Sequence, residues 1–385
     1  MYNLDFYGLF EKKIISTKDR FKLNAHQAKQ IKNRFLNSNI LIIGAAGSIG
    51  SMFSMELLKY KFNKAYLIDK DENQLTELNR ELILKDRKKV TRFEFICNDL
   101  NLLDIQKFIK QKKINHYLNF AAIKHVRSEE NLISAKYMLQ TNSFNFIPKN
   151  LDKIKDLKTF FSISTDKAVN PSSLLGISKR IMELNLMKIK KKKPSLFVST
   201  TRFANVSFSN GSILKLIVDR LAFKKDFGIP NNISRYFITH KEAVSLCLKS
   251  LLKESNGYIV IPNQKILGEQ ILIEKLLYKI LKFLRIKFVK KKRLVRVFNS
   301  SKISLIPKKI IGQKQNEELS FSDEVLQRVE MDKSIFRIEL NTNKFSKIEK
   351  DLKKINKSNL LKLSKSKILL KYAKNNKGNK ISYQL

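Results

Sequence analysis

Apolar residues fall into short unbroken runs separated by longer amphipathic stretches. The runs are Asn39–Ile43 (NILII), Ala65–Asp69, Phe93–Cys97, His116–Ala121, Thr159–Ser164 and Leu196–Arg202. Runs of this length without strict alternation suit strands buried on both faces. Between them the spacing turns helical: Ile49, Phe53, Leu57 and Leu58 share one face of a helix over Ser48–Tyr60. Similar stretches cover 72–85, 103–112, 130–149 and 174–190. Strand and helix in alternation predict an α/β fold, a doubly wound parallel sheet with helices on both faces. Right-handed crossovers would align the carboxyl ends of the strands along one edge, where ligands bind.

Outside this core the pattern is less regular. Residues 1–38 read as an N-terminal arm with one helix over Ala25–Phe35. Beyond residue 210 single motifs sit in mixed helix and loop, so 211–340 is read as a smaller C-terminal substrate-binding domain. Residues 341–385 form a basic tail with helical character.

The turn after the first run is Gly44-Ala-Ala-Gly47-Ser48-Ile49-Gly50. Gly44 permits a tight turn, Gly47 lets backbone approach a pyrophosphate, and Gly50 lets helix and strand pack closely. Asp69 ends the second run 19 residues after Gly50. A carboxylate there accepts from ribose hydroxyls and repels a 2′-phosphate, favouring NAD over NADP, although Lys70 is adjacent. These features make 39–210 a Rossmann-type NAD-binding domain. Asp99 either accepts from the adenine amino group or caps a helix starting at Leu100.

Composition adds exclusions. The 385 residues carry 77 Lys+Arg against 34 Asp+Glu, a formal charge of +43, with 43% hydrophobic residues. That content builds a real core, so a disordered basic chain is excluded. Only 15 of the basic residues are Arg, and the 62 Lys are spread along the chain. A nucleic-acid binder concentrates charge and uses Arg forks, so nucleic acid is set aside as a partner. Lys287, Lys290, Lys291, Lys292 and Arg293 form a denser cluster, read with the tail as solvated helix faces that a membrane surface would attract weakly. Cys97 and Cys247 stand alone, without a disulfide framework or cysteine-built metal site. No apolar run approaches ~18 residues and the start lacks a signal-peptide layout, so a cytoplasmic protein is expected.

The chemistry concentrates at Ser164-Thr165-Asp166-Lys167-Ala168-Val169-Asn170-Pro171, followed by Leu175-Gly176-Ile177-Ser178-Lys179. A hydroxyl, a carboxyl and an amine lie consecutively at a strand end. Pro171 stiffens the loop and keeps Asn170 out of helix. Read alone, Asp166 and Lys167 are either a reactive pair or a surface ion pair.

GAAGSIG, AAIKHV (Ala121–Val126), STDKAVNP, GISK, RFANV (Arg202–Val206), SRYF (Ser234–Phe237) and GQKQNEEL (Gly312–Leu319) occur in order. In these motifs the chain resembles the extended short-chain dehydrogenase/reductases, in particular the UDP-N-acetylglucosamine 4,6-dehydratases of the polysaccharide-biosynthesis group, over roughly 38–335. The resemblance implies a redox-neutral reaction on a UDP-sugar. Hydride leaves C4, water is eliminated across C5–C6, and hydride returns to C6. Lys167 would remove the C5 proton and Asp166 would protonate the departing hydroxyl, which asks for a neutral Lys167 and a protonated Asp166. Lys179 would orient the nicotinamide ribose. Leu175 stands where the wider family has Tyr, leaving Thr165 and Asp166 to accept the C4 hydroxyl proton.

Cofactor contacts are expected from Gly44, Gly47, Ser48, Ile49, Gly50, Asp69, Asp99, Leu100, Ala121, Ala122, Asn142 and Lys179, with Thr141 in support. Substrate contacts are expected from Lys124, Arg202, Asn205, Ser212 and Arg235; His125 is read as structural and no metal is expected. Glu317 and Glu318 lie in an element where Gln313 replaces the usual Glu, and neither is assigned a role. The helices near 130–149 and 174–190 resemble those of a family dimer, implying a homo-oligomer. The alternatives are a sugar-nucleotide epimerase or ketoreductase on the same fold, or an NAD-binding protein without catalysis.

Overall fold

The computed structural model describes residues 4–16, 18–129, 131–298, 302–306 and 316–340. The basic tail 341–385 and residues 312–315 of GQKQNEEL, Gln313 included, lie outside the described residues.

Six parallel strands follow the apolar runs: β1 (Asn39–Ile43), β2 (Lys64–Asp69), β3 (Phe93–Cys97), β4 (His116–Asn119), β5 (Thr159–Ser162) and β6 (Phe197–Thr201). Three later strands complete the sheet: β7 (Tyr258–Pro262), β8 (Gln327–Val329) and β9 (Asp332–Glu339). The order is β8-β9-β7-β6-β5-β4-β1-β2-β3. It reverses between β1 and β4, the switch point at which open α/β sheets bind ligands. β7 is parallel to β6, whereas β9 is antiparallel to both β7 and β8. The doubly wound fold is as expected, but the sheet runs on past residue 210.

β1 lies inside the sheet between β4 and β2, and its Ile40, Leu41 and Ile42 are fully buried. Each such side chain contributes about 1.5–3 kcal/mol relative to an exposed one. A second apolar core gathers Phe208, Leu214, Ile217, Ile229, Leu276, Ile280, Val295 and Ile303 beneath a four-stranded sheet of 227–230, 288–291, 294–297 and 302–306. The first part of the N-terminal arm belongs to this body, whereas Phe21, Ile31 and Phe35 of the same arm pack in the main core. Tyr7, Phe10 and Ile14 enter the second core, and the buried Glu11 accepts from Ser207 Oγ (2.5 Å) and the His240 N–H (3.0 Å).

Two expectations change. The Lys287–Arg293 cluster lies on a hairpin, Phe288–Lys291 with Leu294–Val297, instead of a helix face. Buried Val295 and Val297 flank exposed Arg296, a two-residue alternation that selects strand. The helix expected over 130–149 spans Leu132–Leu139 and then widens into a π turn, Gln140–Phe144. There the Asn142 amide serves Ile123 and Ser178 rather than continuing a helix face toward solvent.

Candidate active site

The glycine turn is constrained by backbone. Gly44 has φ +76°, and a Cβ on it would sit 2.5 Å from the Ala121 nitrogen. A Cβ on Gly50 would sit 2.1 Å from the Gly44 carbonyl oxygen. The helix Ser48–Glu56 starts from Gly47, which has no side chain to cap the first amides. Those donors face the strand ends, a cradle that fits a pyrophosphate. Asp69 braces the turn, its Oδ2 accepting from the Ala46 N–H (2.9 Å) and its Oδ1 from the Asp71 N–H (3.1 Å). Burial raises its pKa against those backbone donors. Ser48 Oγ accepts from the Asn210 N–H (2.9 Å), tying the turn to the start of the second body.

Ala121 and Ala122 follow β4, and Ile49 packs on the main core. Asn142 clamps the segment after β4, accepting from the Ile123 N–H and donating to the Ile123 carbonyl and Ser178 Oγ, each at 2.9 Å. Thr141 Oγ1 accepts from Asn101 (2.8 Å).

The chemical centre lies where β5 ends. Thr165 caps the short turn Asp166–Ala168, and its hydroxyl donates to Asp166 Oδ1 at 2.6 Å. Lys167 Nζ donates to the same oxygen at 3.1 Å. Asp166 is buried, and its Oδ2 meets no hydrogen-bond donor. Gly176 allows this arrangement, because a Cβ there would stand 2.3 Å from the Lys167 carbonyl oxygen. Glu317 enters from the far end of the chain. It receives Asn205 Nδ2 on both oxygens (2.8 and 2.9 Å), the Arg235 guanidinium (3.0 Å) and the Tyr236 N–H (3.2 Å), with Lys167 Nζ 3.9 Å away.

Charge here is tightly coupled. Burial favours a neutral Asp166, but the Lys167 ammonium and donors around the carboxyl outweigh it and its pKa is lowered. Burial likewise opposes the Lys167 charge, yet the Asp166 and Glu317 carboxyls raise its pKa. Glu317 goes the other way: burial, then the Asp166 charge, push it up to about 8. Lys179 is buried, with Nζ donating to the Ile163 carbonyl at 3.0 Å, and burial lowers it to about 8. Lys124 has an exposed side chain, but the surrounding protein and then Lys167 bring it to about 8 as well.

Residues 40–339 match the family described as polysaccharide biosynthesis protein. The chain belongs to that family. An uncharacterized membrane protein of Methanocaldococcus jannaschii is 29% identical over 349 residues, 88% of this chain and 98% of that one. The inverting UDP-N-acetylglucosamine 4,6-dehydratase of Campylobacter jejuni is 27% identical over 241 residues, 59% of this chain and 67% of that one. The chain spans only 39% and 37% of two longer polysaccharide-biosynthesis relatives. In fold it is similar to the UDP-glucuronic acid 4-epimerase of Bacillus cereus, solved with UDP-glucuronic acid and NAD. That match has TM-score 0.56 and 20% identity, and covers 72% of this chain and 88% of that one. Among the described residues, no helix is long and apolar enough to cross a membrane.

The structure engages several of the expected contact residues within the protein itself. Arg202, expected to meet a diphosphate, is fully buried between Glu183 (2.7 and 2.8 Å) and Glu324 (2.6 and 2.8 Å). Two carboxylates saturate its fork, so it cannot reach a ligand. The Ser212 hydroxyl caps the helix Ile213–Ala222 by accepting from the Lys215 N–H. Asp99 has both oxygens engaged, by Asn101 and by the Tyr137 hydroxyl (2.5 Å). It caps no helix at Leu100, which is buried; the helix starts at Ile105, capped by Asp104. The charges on Asp166 and Lys167 are the reverse of those a finished acid–base pair would carry. Arg235 and Asn205 do reach the centre, through Glu317.

Sequence reasoning passed over three carboxylates. Glu129 accepts from the Leu174 (2.9 Å) and Leu175 (2.8 Å) amides at the start of the helix Leu174–Lys192. Glu183 anchors Arg202 and Ser164. Glu317 joins Asp166. For Glu183 the signal was available: a charge among Ile181, Met182, Leu184 and Leu186 on a helix requires a buried partner.

Proposed function

We propose that this protein is an NAD-dependent 4,6-dehydratase of a UDP-N-acetylhexosamine, UDP-N-acetylglucosamine in particular, forming a 4-keto-6-deoxy sugar nucleotide for surface polysaccharide. The observation that carries this reading is the hydrogen-bonded string Thr165–Asp166–Lys167 at the end of β5, on the same sheet edge as the glycine turn that follows β1. The likeness to the Campylobacter dehydratase supports it. The cradle of Gly44, Gly47 and Gly50 fits a dinucleotide, with Asp69 beneath it. A nicotinamide bound there would supply the acceptor and later the donor of hydride.

The chain's own groups then manage protons. Leu175 is buried and cannot take the C4 hydroxyl proton. Thr165, with its hydroxyl already on Asp166 Oδ1, offers a route to an ionised carboxylate. Asp166, once protonated, gives that proton to the departing C6 hydroxyl, so the C4 hydroxyl proton ends in the released water. Lys167 first releases its own proton to solvent, which the nearby Lys124 charge assists, then takes the C5 proton, and a solvent-exchanged proton is returned to C5 as the product forms. An ionised resting Asp166 suits the first step of this order, and the missing Tyr disfavours the epimerase alternative.

The test is turnover of UDP-N-acetylglucosamine in deuterated water, followed by NMR. The expected product carries solvent deuterium at C5 and the former C4 hydrogen at C6. A C4-epimerised sugar without loss of water, or no product from any UDP-sugar, overturns the reading.

A further inference from the structure

The Asp166 oxygen Oδ2 is buried and unmatched, although the residue sits in a crowd of polar groups. Oδ1 holds both of its neighbours, the Thr165 hydroxyl and the Lys167 ammonium. Lys167 Nζ brings a second buried carboxyl alongside, standing 3.1 Å from Asp166 Oδ1 and 3.9 Å from Glu317 Oε1. Two neighbouring buried carboxylates resist ionising together, because each adds its field to the other's desolvation. A buried acceptor left unmatched costs about 1–3 kcal/mol, more when charged. One proton between the carboxyls removes both penalties.

We propose that Glu317 is a positioning residue for the elimination, forming with Asp166 a carboxyl dyad that shares one proton through the unmatched Oδ2 and leaves Oδ1 to Thr165 and Lys167. The role rests on the dehydratase reading; the shared proton does not. Burial and the Asp166 charge favour a proton on Glu317, and they outweigh the Arg235 and Lys167 charges that oppose it. Arg235 from 234–235, Asn205 from 205–206 and the Tyr236 N–H hold the carboxyl in place, and Lys167 stands 3.9 Å away. Glu318, the next residue, turns aside to accept from Asn170 (2.7 Å). Lys124 lies beyond Lys167 and adds positive charge.

The dyad controls both partners. With Glu317 protonated, Asp166 can be an anion when it accepts and again after it donates, without a second buried anion opposing it. With Glu317 ionised, two negative charges hold Lys167 as ammonium and stop it taking the C5 proton. Once protonated, Asp166 beside an ionised Glu317 would also hold its proton more tightly and pass it less readily to the leaving hydroxyl. Loss of the shared proton therefore slows elimination, whereas sugar-nucleotide binding through other contacts persists.

Two measurements test this on the full chain. Infrared difference spectra across pH report the C=O stretch of a protonated carboxyl directly, with no substrate present. A band that vanishes with a midpoint near pH 8, and is missing from both Glu317→Gln and Asp166→Asn, is expected. No such band, or one that survives in Glu317→Gln, overturns the dyad. The second measurement is kcat against pH with UDP-N-acetylglucosamine. The wild-type rate should fall as pH rises through about 8. Glu317→Gln, permanently neutral and carrying a donor, should lose that limb, and Glu317→Ala should lose about 10- to 100-fold in kcat with little change in KM. An identical limb in Glu317→Gln, or a loss confined to KM, overturns the positioning role. A wild-type protein that makes no 4-keto product removes the dehydratase reading instead, and the band alone then decides the dyad.

Discussion

Replacing Arg202 separates a ligand-binding arginine from a core arginine. Arg202→Met removes the guanidinium and keeps most of the volume. It strips Glu183, which is fully buried, of a bidentate partner and Glu324 of another. Arg180 (2.9 Å) and Ser164 (2.6 Å) remain on Glu183. Despite burial, Arg202 and then Arg180 hold the Glu183 carboxyl at about 2, against an ordinary 4.5. That difference corresponds to about 3 kcal/mol of stability, most of it from Arg202. Breaking a buried ion pair from one side costs roughly 3–5 kcal/mol by mutation, in agreement. The stabilisation is complete above pH 4.5 and is lost as pH falls toward 2, the sign for an acid with a depressed pKa. At about 2 °C per kcal/mol for a chain of this size, the variant should melt roughly 6–10 °C lower at neutral pH. Its stability should also fall less steeply with acid. Calorimetry across pH measures both, and Arg202→Met with Glu183→Leu should recover part of the loss by removing the stranded charge. Below its melting range the variant should keep its KM for UDP-sugar within about threefold. An unchanged melting temperature with a KM raised tenfold or more would falsify this account and return Arg202 to the ligand.

Two further outcomes follow from the site. Lys167→Ala and Asp166→Asn should each reduce kcat by about 10²–10⁴-fold while UDP-sugar still binds by calorimetry; near-native turnover in either would remove the acid–base assignment. Gly50→Ala drives a methyl into the Gly44 carbonyl, which cannot yield, so the helix Ser48–Glu56 must move off the turn. A cost of about 1–3 kcal/mol and loss of NAD binding by fluorescence titration are expected, and unaltered affinity would show that the turn does not cradle a cofactor.

Much of the molecule was legible one residue at a time. The runs at 39–43 and 159–162 became strands because buried parallel strands need continuous apolar side chains, whereas 93–97 forms the half-exposed edge strand. The spacing of Gly44, Gly47 and Gly50 implied the cradle because only glycine tolerates such backbone contacts. Asp166 and Lys167, neighbours in the chain, could be recognised as a pair without any fold. The second body was harder to read, since its hairpin at 288–297 carries the basic residues that had suggested a helix.

What tertiary structure alone decided are the partners of buried charge. Arg202 and Arg235 both occur in motifs that looked ready for phosphate. Only the packed chain closes Glu183 and Glu324 around one and sets Glu317 against the other. Sequence patterns report which side chains leave water, because burial follows periodicity along a local segment. They do not report which opposite charge will meet a buried one, because that partner arrives from 122 residues away in the case of Arg202 and Glu324. The electrostatics of such a site is thus a product of long-range chain return, and with it the protonation on which the chemistry depends.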